Sequence, residues 1–250
     1  MVIMHKKQGG FFGNSPLHRL NGDDIIVEKG GVNLRDFPIF PTDYGVSSLV
    51  LKEIPYRKQA YIRIGDVQPR FLREHLEECA KFCRMAGAER IFAAGEGLES
   101  YPVYTSVLQM QGQAWVNPEK LCCLFPVTEA TVSRWRELHN QAMARVDNAG
   151  TLESRDEKKI LENPGAYFVH DNGRLLGIGW MEDCKLLAVA AVERGTGEQV
   201  MHTLMSLVEG DPLTVEVAST NERAIRLYEK LGLCKTREII CWHDVTALAR

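Results

Sequence analysis

An unbroken apolar run over residues 186–192 ends in Glu193-Arg194-Gly195-Thr196-Gly197 and passes directly into a stretch with helical spacing. Strand, glycine turn and helix in that order define an α/β unit with a built-in anion site. Glycines let the backbone turn tightly and approach a ligand closely. The first free N–H groups of the following helix point outward, with the positive end of its dipole behind them. The turn is suited to a diphosphate, although the same glycines also serve simply to pack a strand against a helix. Two phosphate motifs are missing: no Gly-x-x-x-x-Gly-Lys-Ser/Thr string follows, and the third glycine of the dinucleotide fingerprint is absent.

Residues 213–218 read as a second buried strand, followed at helical spacing by Asn221, Ala224, Leu227, Tyr228, Leu231 and Gly232. Arg194-Gly195-x-Gly197 after one strand, and Asn221-x-x-Ala224-x-x-x-Tyr228-Glu229-Lys230-Leu231-Gly232-Leu233 after the next, resemble the GCN5-related N-acetyltransferase superfamily (GNAT). The resemblance implies an α/β fold of the acyl-CoA N-acyltransferase kind, a mixed sheet flanked by helices, with acetyl-CoA as cosubstrate. It maps the pyrophosphate loop onto Arg194, Gly195, Thr196, Gly197 and Glu198, whose backbone amides, together with that of Val192, would hold the diphosphate. The preceding strand, with Ala190 and Val192, would lie along the pantetheine arm. Asn221 would stand near that arm or cap the last helix, and Tyr228 would act as general acid. One position departs from the pattern, because the loop's last small residue is Gln199 here.

The implied chemistry sets further requirements. A departing thiolate gains from a proton, and a tyrosine of ordinary pKa ~10 stands close enough to a thiol at ~8.5 to provide one. Tyr228 equally fits as a core residue on an amphipathic helix. For the base that frees the attacking amine, Glu182, Asp183, Glu216, His170 and His202 are available, but no motif supports any of them, and a water chain would serve as well. Ala188, Ala190 and Ala191 leave room on the strand.

Net charge is -3 with a pI near 6.2, and no Lys/Arg cluster runs beyond a few residues, so no nucleic-acid partner is expected. The longest apolar run falls far short of a membrane span and the N-terminus lacks the apolar core of a signal peptide, which points to a cytoplasmic protein without a membrane partner. The 7 cysteines are odd in number and form no repeated Cys-x-x-Cys, so neither disulfides nor a metal site is expected. Cys79 and Cys83, one helical turn apart beside Leu72 and Leu76, read as core thiols.

Along the chain, residues 1–22 read as a glycine-rich arm, 23–117 as a smaller α/β domain, and 118–250 as the domain carrying the motifs. The first domain shows strands over 24–28, 46–54, 60–64 and 90–94 and a helix beginning at Pro69, the order of a degenerate second copy without the glycine loop. In the second, Thr128 can cap a helix with Trp135, Leu138, Ala142 and Val146 on one face, and Asp171-Asn172-Gly173 marks a tight hairpin. The resulting expectation is an N-acetyltransferase acting on a small primary amine or amino-acid derivative ahead of a protein amine, with a homodimer compatible. The alternative is a non-catalytic acyl-CoA-binding sensor or adaptor.

Overall fold

The computed structural model describes residues 38–113 and 115–249. The expected arm over 1–22 and the expected strand over 24–28 lie outside the described residues. In chain order the strands are β1 (Ile39–Thr42), β2 (Gly45–Val50), β3 (Gln59–Val67), β4 (Arg90–Ala94), β5 (Val103–Gly112), β6 (Cys123–Pro126), β7 (Ala166–Asp171), β8 (Arg174–Glu182), β9 (Lys185–Ala191), β10 (Leu213–Ala218) and β11 (Cys234–Asp244). The helices are α1 (Ile54–Arg57), α2 (Leu72–Met85), α3 (Val132–Met143), α4 (Glu157–Glu162), α5 (Gly197–Met205) and α6 (Glu222–Lys230). All the strands join one mixed sheet in the order β1-β2-β3-β4-β11-β5-β10-β9-β8-β7-β6. The mixed sheet flanked by helices is the fold class expected from the sequence.

Local chemistry accounts for most of these elements. Asn172 and Gly173 both hold positive φ, 47° and 79°, and close the β7–β8 hairpin as the Asn-Gly pair requires. On α2 the i, i+3, i+4 spacing buries Leu76, Cys79, Ala80 and Cys83 against Leu49, Ile62 and Ile91. Burial pushes the thiols of Cys79 and Cys83 up to about 12, which keeps both neutral. His75 on the same face is satisfied by Thr42 Oγ1 and Ser47 Oγ, each at 2.7 Å. α5 seats on β8 over two glycines. A Cβ at Gly177 would come within 2.6 Å of Val200, and one at Gly179 within 2.3 Å of Leu204.

The sequence reading placed no strand between residues 94 and 121, yet β5 lies near the centre of the sheet. It pairs antiparallel with β10, from Leu213↔Gly112 to Ala218↔Val107, and with β11 on its other edge. Ser106, Gln109 and Gln111 dilute its apolar pattern, and its place depends on two partners more than a hundred residues away. The boundary expected between residues 117 and 118 follows shortly after the end of this strand at Gly112. β11 in turn lies between β4 and β5, so strands from before and after residue 117 alternate across the middle of the sheet.

Two parallel pairs are each joined through a helix, and they differ in one respect that decides where a ligand can enter. β3 and β4 stay in register over five residue pairs, Gln59↔Arg90 to Arg63↔Ala94. β9 and β10 pair only at Thr214↔Lys185 and Val215↔Leu186, and then separate. The first pair is closed, whereas the second opens toward the C-terminal ends of its strands, where parallel sheets of α/β proteins bind ligands.

Candidate active site

The gap between β9 and β10 leads into a cleft of about 920 Å³. β9 and β10 form its walls, the turn before α5 and the helix α6 border it, and α3 with the loop after it closes another side. Ala190, Val192, Arg194, Gly195, Gly197, Glu198, Asn221 and Tyr228 all line this one cleft. The two sequence motifs therefore meet in space.

The turn presents its amides as a cradle. The first hydrogen bond of α5 runs from Val200 N–H to Thr196 O, so Gly197, Glu198 and Gln199 have no acceptor for their N–H groups among the described residues, and the same holds for Arg194 and Gly195. Gly195 sits at φ +94°, a conformation L side chains rarely adopt, and open space lies where its Cβ would be. The amides of Val192 and Glu193 both point at Leu176 O, at 2.9 and 3.3 Å, so the donors free for a ligand begin at Arg194 and Val192 contributes only surface. Thr196 turns its hydroxyl inward to Leu176 O and Glu193 O, at 3.0 and 2.8 Å, and so fastens the turn to β8. Gln199 does not line the cleft. Five unpaired amides at a helix N-terminus, around an unfilled glycine, fit a diphosphate.

Glu198 lies in the same helical turn. Hydrogen bonds from Lys120 Nζ, 2.5 Å, and Lys230 Nζ, 2.7 Å, hold its carboxyl at about 2. The two lysines more than offset its charge and tie the α5 N-terminus to α6. Because this carboxyl is depressed in the fold, its stabilising contribution is complete above the ordinary carboxylate value of 4.5 and is lost as pH falls toward 2. Urea unfolding of wild type and Glu198→Gln between pH 7 and pH 2 is expected to show a stability gap that closes below pH ~4.5. A gap that stays constant to pH 2 would remove the two lysines as the cause.

Asn221 caps α6 by accepting the Ala224 N–H at 3.2 Å, the second of the two roles open to it. The cap aims the helix so that Tyr228 is 5% exposed beside Leu227 on the cleft. Burial raises its phenol to about 12, and among the described residues its hydroxyl makes no hydrogen bond. An unbonded, un-ionised phenol at the edge of a cleft is available to a ligand.

The base candidates from the sequence separate. Glu216 lines the cleft but is paired to Lys185 at 2.6 Å. Glu182 accepts from Asn163, Asp183 holds the left-handed position of the β8–β9 turn, and His170 and His202 do not line the cleft. Sequence reasoning missed His139 and Asp147. His139 is on α3, four residues after Trp135, with its ring stacked on that indole at 5.6 Å. A histidine on an otherwise apolar helical stripe was the available signal. Asp147 accepts from Tyr104 Oη at 2.5 Å and from Thr220 Oγ1 at 2.8 Å, and nothing local in the sequence marks it.

The loop over residues 144–151, which carries Asp147, is held from the other half of the chain. Arg57 on α1 donates to Met143 O at the end of α3, and to Val146 O in the loop after it at 2.8 Å. Glu53, buried beside it, accepts from Thr151 N–H at 2.9 Å and Thr151 Oγ1 at 2.7 Å, with Arg57 Nε at 3.7 Å.

No protein-family model matches the sequence, and no curated protein matches it. Solved structures do match. A GCN5-related N-acetyltransferase from Anabaena variabilis superposes with a TM-score of 0.53 at 11% identity, over 82% of this chain and 58% of that one. A second, from Kribbella flavida, gives 0.50 at 13%, over 85% and 56%. A conserved protein of unknown function from Staphylococcus epidermidis gives 0.51 at 9%, over 86% and 97%. The chain spans little more than half of each of those two acetyltransferases. At these identities the likeness establishes the fold, and the fold is that of the GNAT acetyltransferases.

Proposed function

We propose that this protein is an acetyl-CoA-dependent N-acetyltransferase that moves the acetyl group to a primary amine, a small amine or amino-acid derivative ahead of a protein amine. The observation that carries this reading is the separation of β9 from β10 directly below five unpaired amides, with Tyr228 on the same cleft. The opened edges of the two strands can accept an extended arm that forms backbone hydrogen bonds as a strand would, and Ala188, Ala190 and Ala191 leave it space. The amides of Arg194, Gly195, Gly197, Glu198 and Gln199 would receive the diphosphate. Acetyl-CoA supplies the activated acyl group, and Tyr228 then stands to donate to the departing sulfur. Residues 118–250 carry this machinery, and 38–117 supply the wall and fastenings of the acceptor side. All 7 cysteines are free, in keeping with action in the reducing cytoplasm.

Calorimetric titration tests the cofactor site. Acetyl-CoA and CoA are expected to bind at micromolar affinity and ATP not to bind. Gly197→Trp should abolish binding, because a Cβ there already meets Leu227 at 3.5 Å and an indole must project across the cleft. Absence of acetyl-CoA binding by the wild type would overturn the enzyme reading, and binding without turnover on any amine would favour a sensor.

A further inference from the structure

We infer that His139 is the catalytic base that takes the proton from the attacking amine, a role that rests on the acetyltransferase reading above. The argument runs through its neighbour. Asn140 Nδ2 donates to Leu152 O at 2.8 Å, and Asn140 Oδ1 accepts from Leu152 N–H at 2.9 Å. This pair of backbone bonds fixes which end of the amide is oxygen. His139 Nδ1 lies 3.2 Å from that oxygen, which can only accept, so Nδ1 carries the ring proton. In the neutral ring the lone pair is then on Nε2. Among the described residues Nε2 has no hydrogen-bond partner, and it is not sealed off from solvent. The residue is 8% exposed and lines the same cleft as Tyr228. A buried imidazole stacked on Trp135, with its tautomer set and its free nitrogen unused, is a poised proton acceptor.

Desolvation lowers the His139 pKa below the ordinary 6.5, the bond to Asn140 opposes this, and the positive charge of Arg57 on α1 adds to it. From the other elements around the cleft the titratable groups are Asp147 on the loop after α3, Glu216 on β10, Glu193, Arg194 and Glu198 at the turn, and Arg223 and Tyr228 on α6. All four carboxylates are already committed: Glu216 to Lys185, Glu193 to Arg174, Glu198 to its lysines and Asp147 to two hydroxyls. In the reaction the acceptor ammonium gives one proton to Nε2, directly or through one water. Its nitrogen bonds to the thioester carbon, the C–S bond breaks, and the sulfur keeps the electron pair and takes the Tyr228 proton. The second proton of the bonded nitrogen passes through water to the Tyr228 phenolate, which leaves a neutral amide and restores the phenol, and the imidazolium returns its proton to solvent, so one proton is released per turnover.

Two readouts test this. Ring nitrogen NMR of the free protein is expected to show His139 as the Nδ1–H tautomer at pH 7, titrating below the ordinary value near 6.5. Free-thiol release from acetyl-CoA, measured with the fastest of a panel of small primary amines, should fall about a hundredfold in His139→Gln, with acetyl-CoA affinity unchanged. The acidic limb of the wild-type kcat/KM profile should vanish in the variant. An Nε2–H tautomer, a ring already protonated at pH 7, or an acidic limb that persists in His139→Gln would overturn the assignment. If that variant does not fold, His139→Asn and the wild-type tautomer decide the question. A wild type that binds no acetyl-CoA would instead overturn the acetyltransferase reading, which the NMR result does not touch.

Discussion

Tyr228→Phe is expected to lower turnover about a hundredfold while leaving acetyl-CoA affinity within twofold and thermal stability unchanged. The stability part follows from packing. Phenylalanine fills nearly the same volume, and the hydroxyl it removes has no partner within the fold. The turnover part follows from the chemistry at the sulfur. With its phenol at about 12, Tyr228 is a weaker acid than a thiol near 8.5, so complete proton transfer runs uphill by about 5 kcal/mol. In the proposed reaction its useful action would therefore be a hydrogen bond that strengthens as charge builds on the sulfur in the transition state, with the proton following once another can replace it. A hydrogen bond to a charged group contributes roughly 1.5–3 kcal/mol, in line with a loss of about a hundredfold. Steady-state kinetics beside calorimetry separates the outcomes. Equal losses in kcat and kcat/KM are expected, and unchanged kcat would remove Tyr228 from the mechanism.

Arg57→Ala is expected to cost about 3 kcal/mol of stability and to raise the KM for the amine at least tenfold without weakening acetyl-CoA. Removing the guanidinium strands Glu53 as a buried carboxylate and takes a donor from one carbonyl at the end of α3 and one in the loop after it, and breaking a buried pair of this kind costs roughly 3–5 kcal/mol. The lower end applies because Thr151 still donates twice to Glu53. The loop it releases carries Asp147 and borders the cleft on the side the proposed function assigns to the acceptor, whereas the amides before α5 are fastened separately through Thr196 and Leu176. Urea denaturation and a double-mutant cycle with Glu53→Gln check the coupling: the double variant should recover part of the loss. A cost below 1 kcal/mol, or an equal rise in acetyl-CoA Kd, would show that the fastening is not specific to the acceptor loop.

How far the site could be read in advance depended on whether its parts were local in sequence. The turn before α5 and the helical position of Tyr228 were legible because each needs only a strand, a turn and the first turns of a helix, and glycine, small residues and helical spacing encode those directly. Asn221 was legible as a cap for the same reason, and the Asn172-Gly173 hairpin because positive φ at two adjacent positions admits few residue types. β5 was not legible. Its hydrogen bonds go to β10 and β11, and a central strand can carry Thr105, Ser106 and Gln109 when its neighbours supply the burial. Asp147 was illegible because the atoms that place it, Tyr104 Oη and Thr220 Oγ1, lie 43 and 73 residues away. His139 stood between. Its place on the stripe of α3 was visible, but the state of its ring was set by an Asn140 amide held through Leu152.

By itself, then, the sequence determined the α/β layering, the glycine turn at the head of α5 and the place of Tyr228 along α6, because dihedral preference and periodicity act over a few residues. Only the tertiary structure decided that the second parallel pair is open where the first is closed, that the two motifs share one cleft, and that residues before 118 fasten the loop opposite them. Those outcomes depend on register and on paired buried charges. Each is a sum of contacts between segments far apart in the chain, which no local pattern of residues records.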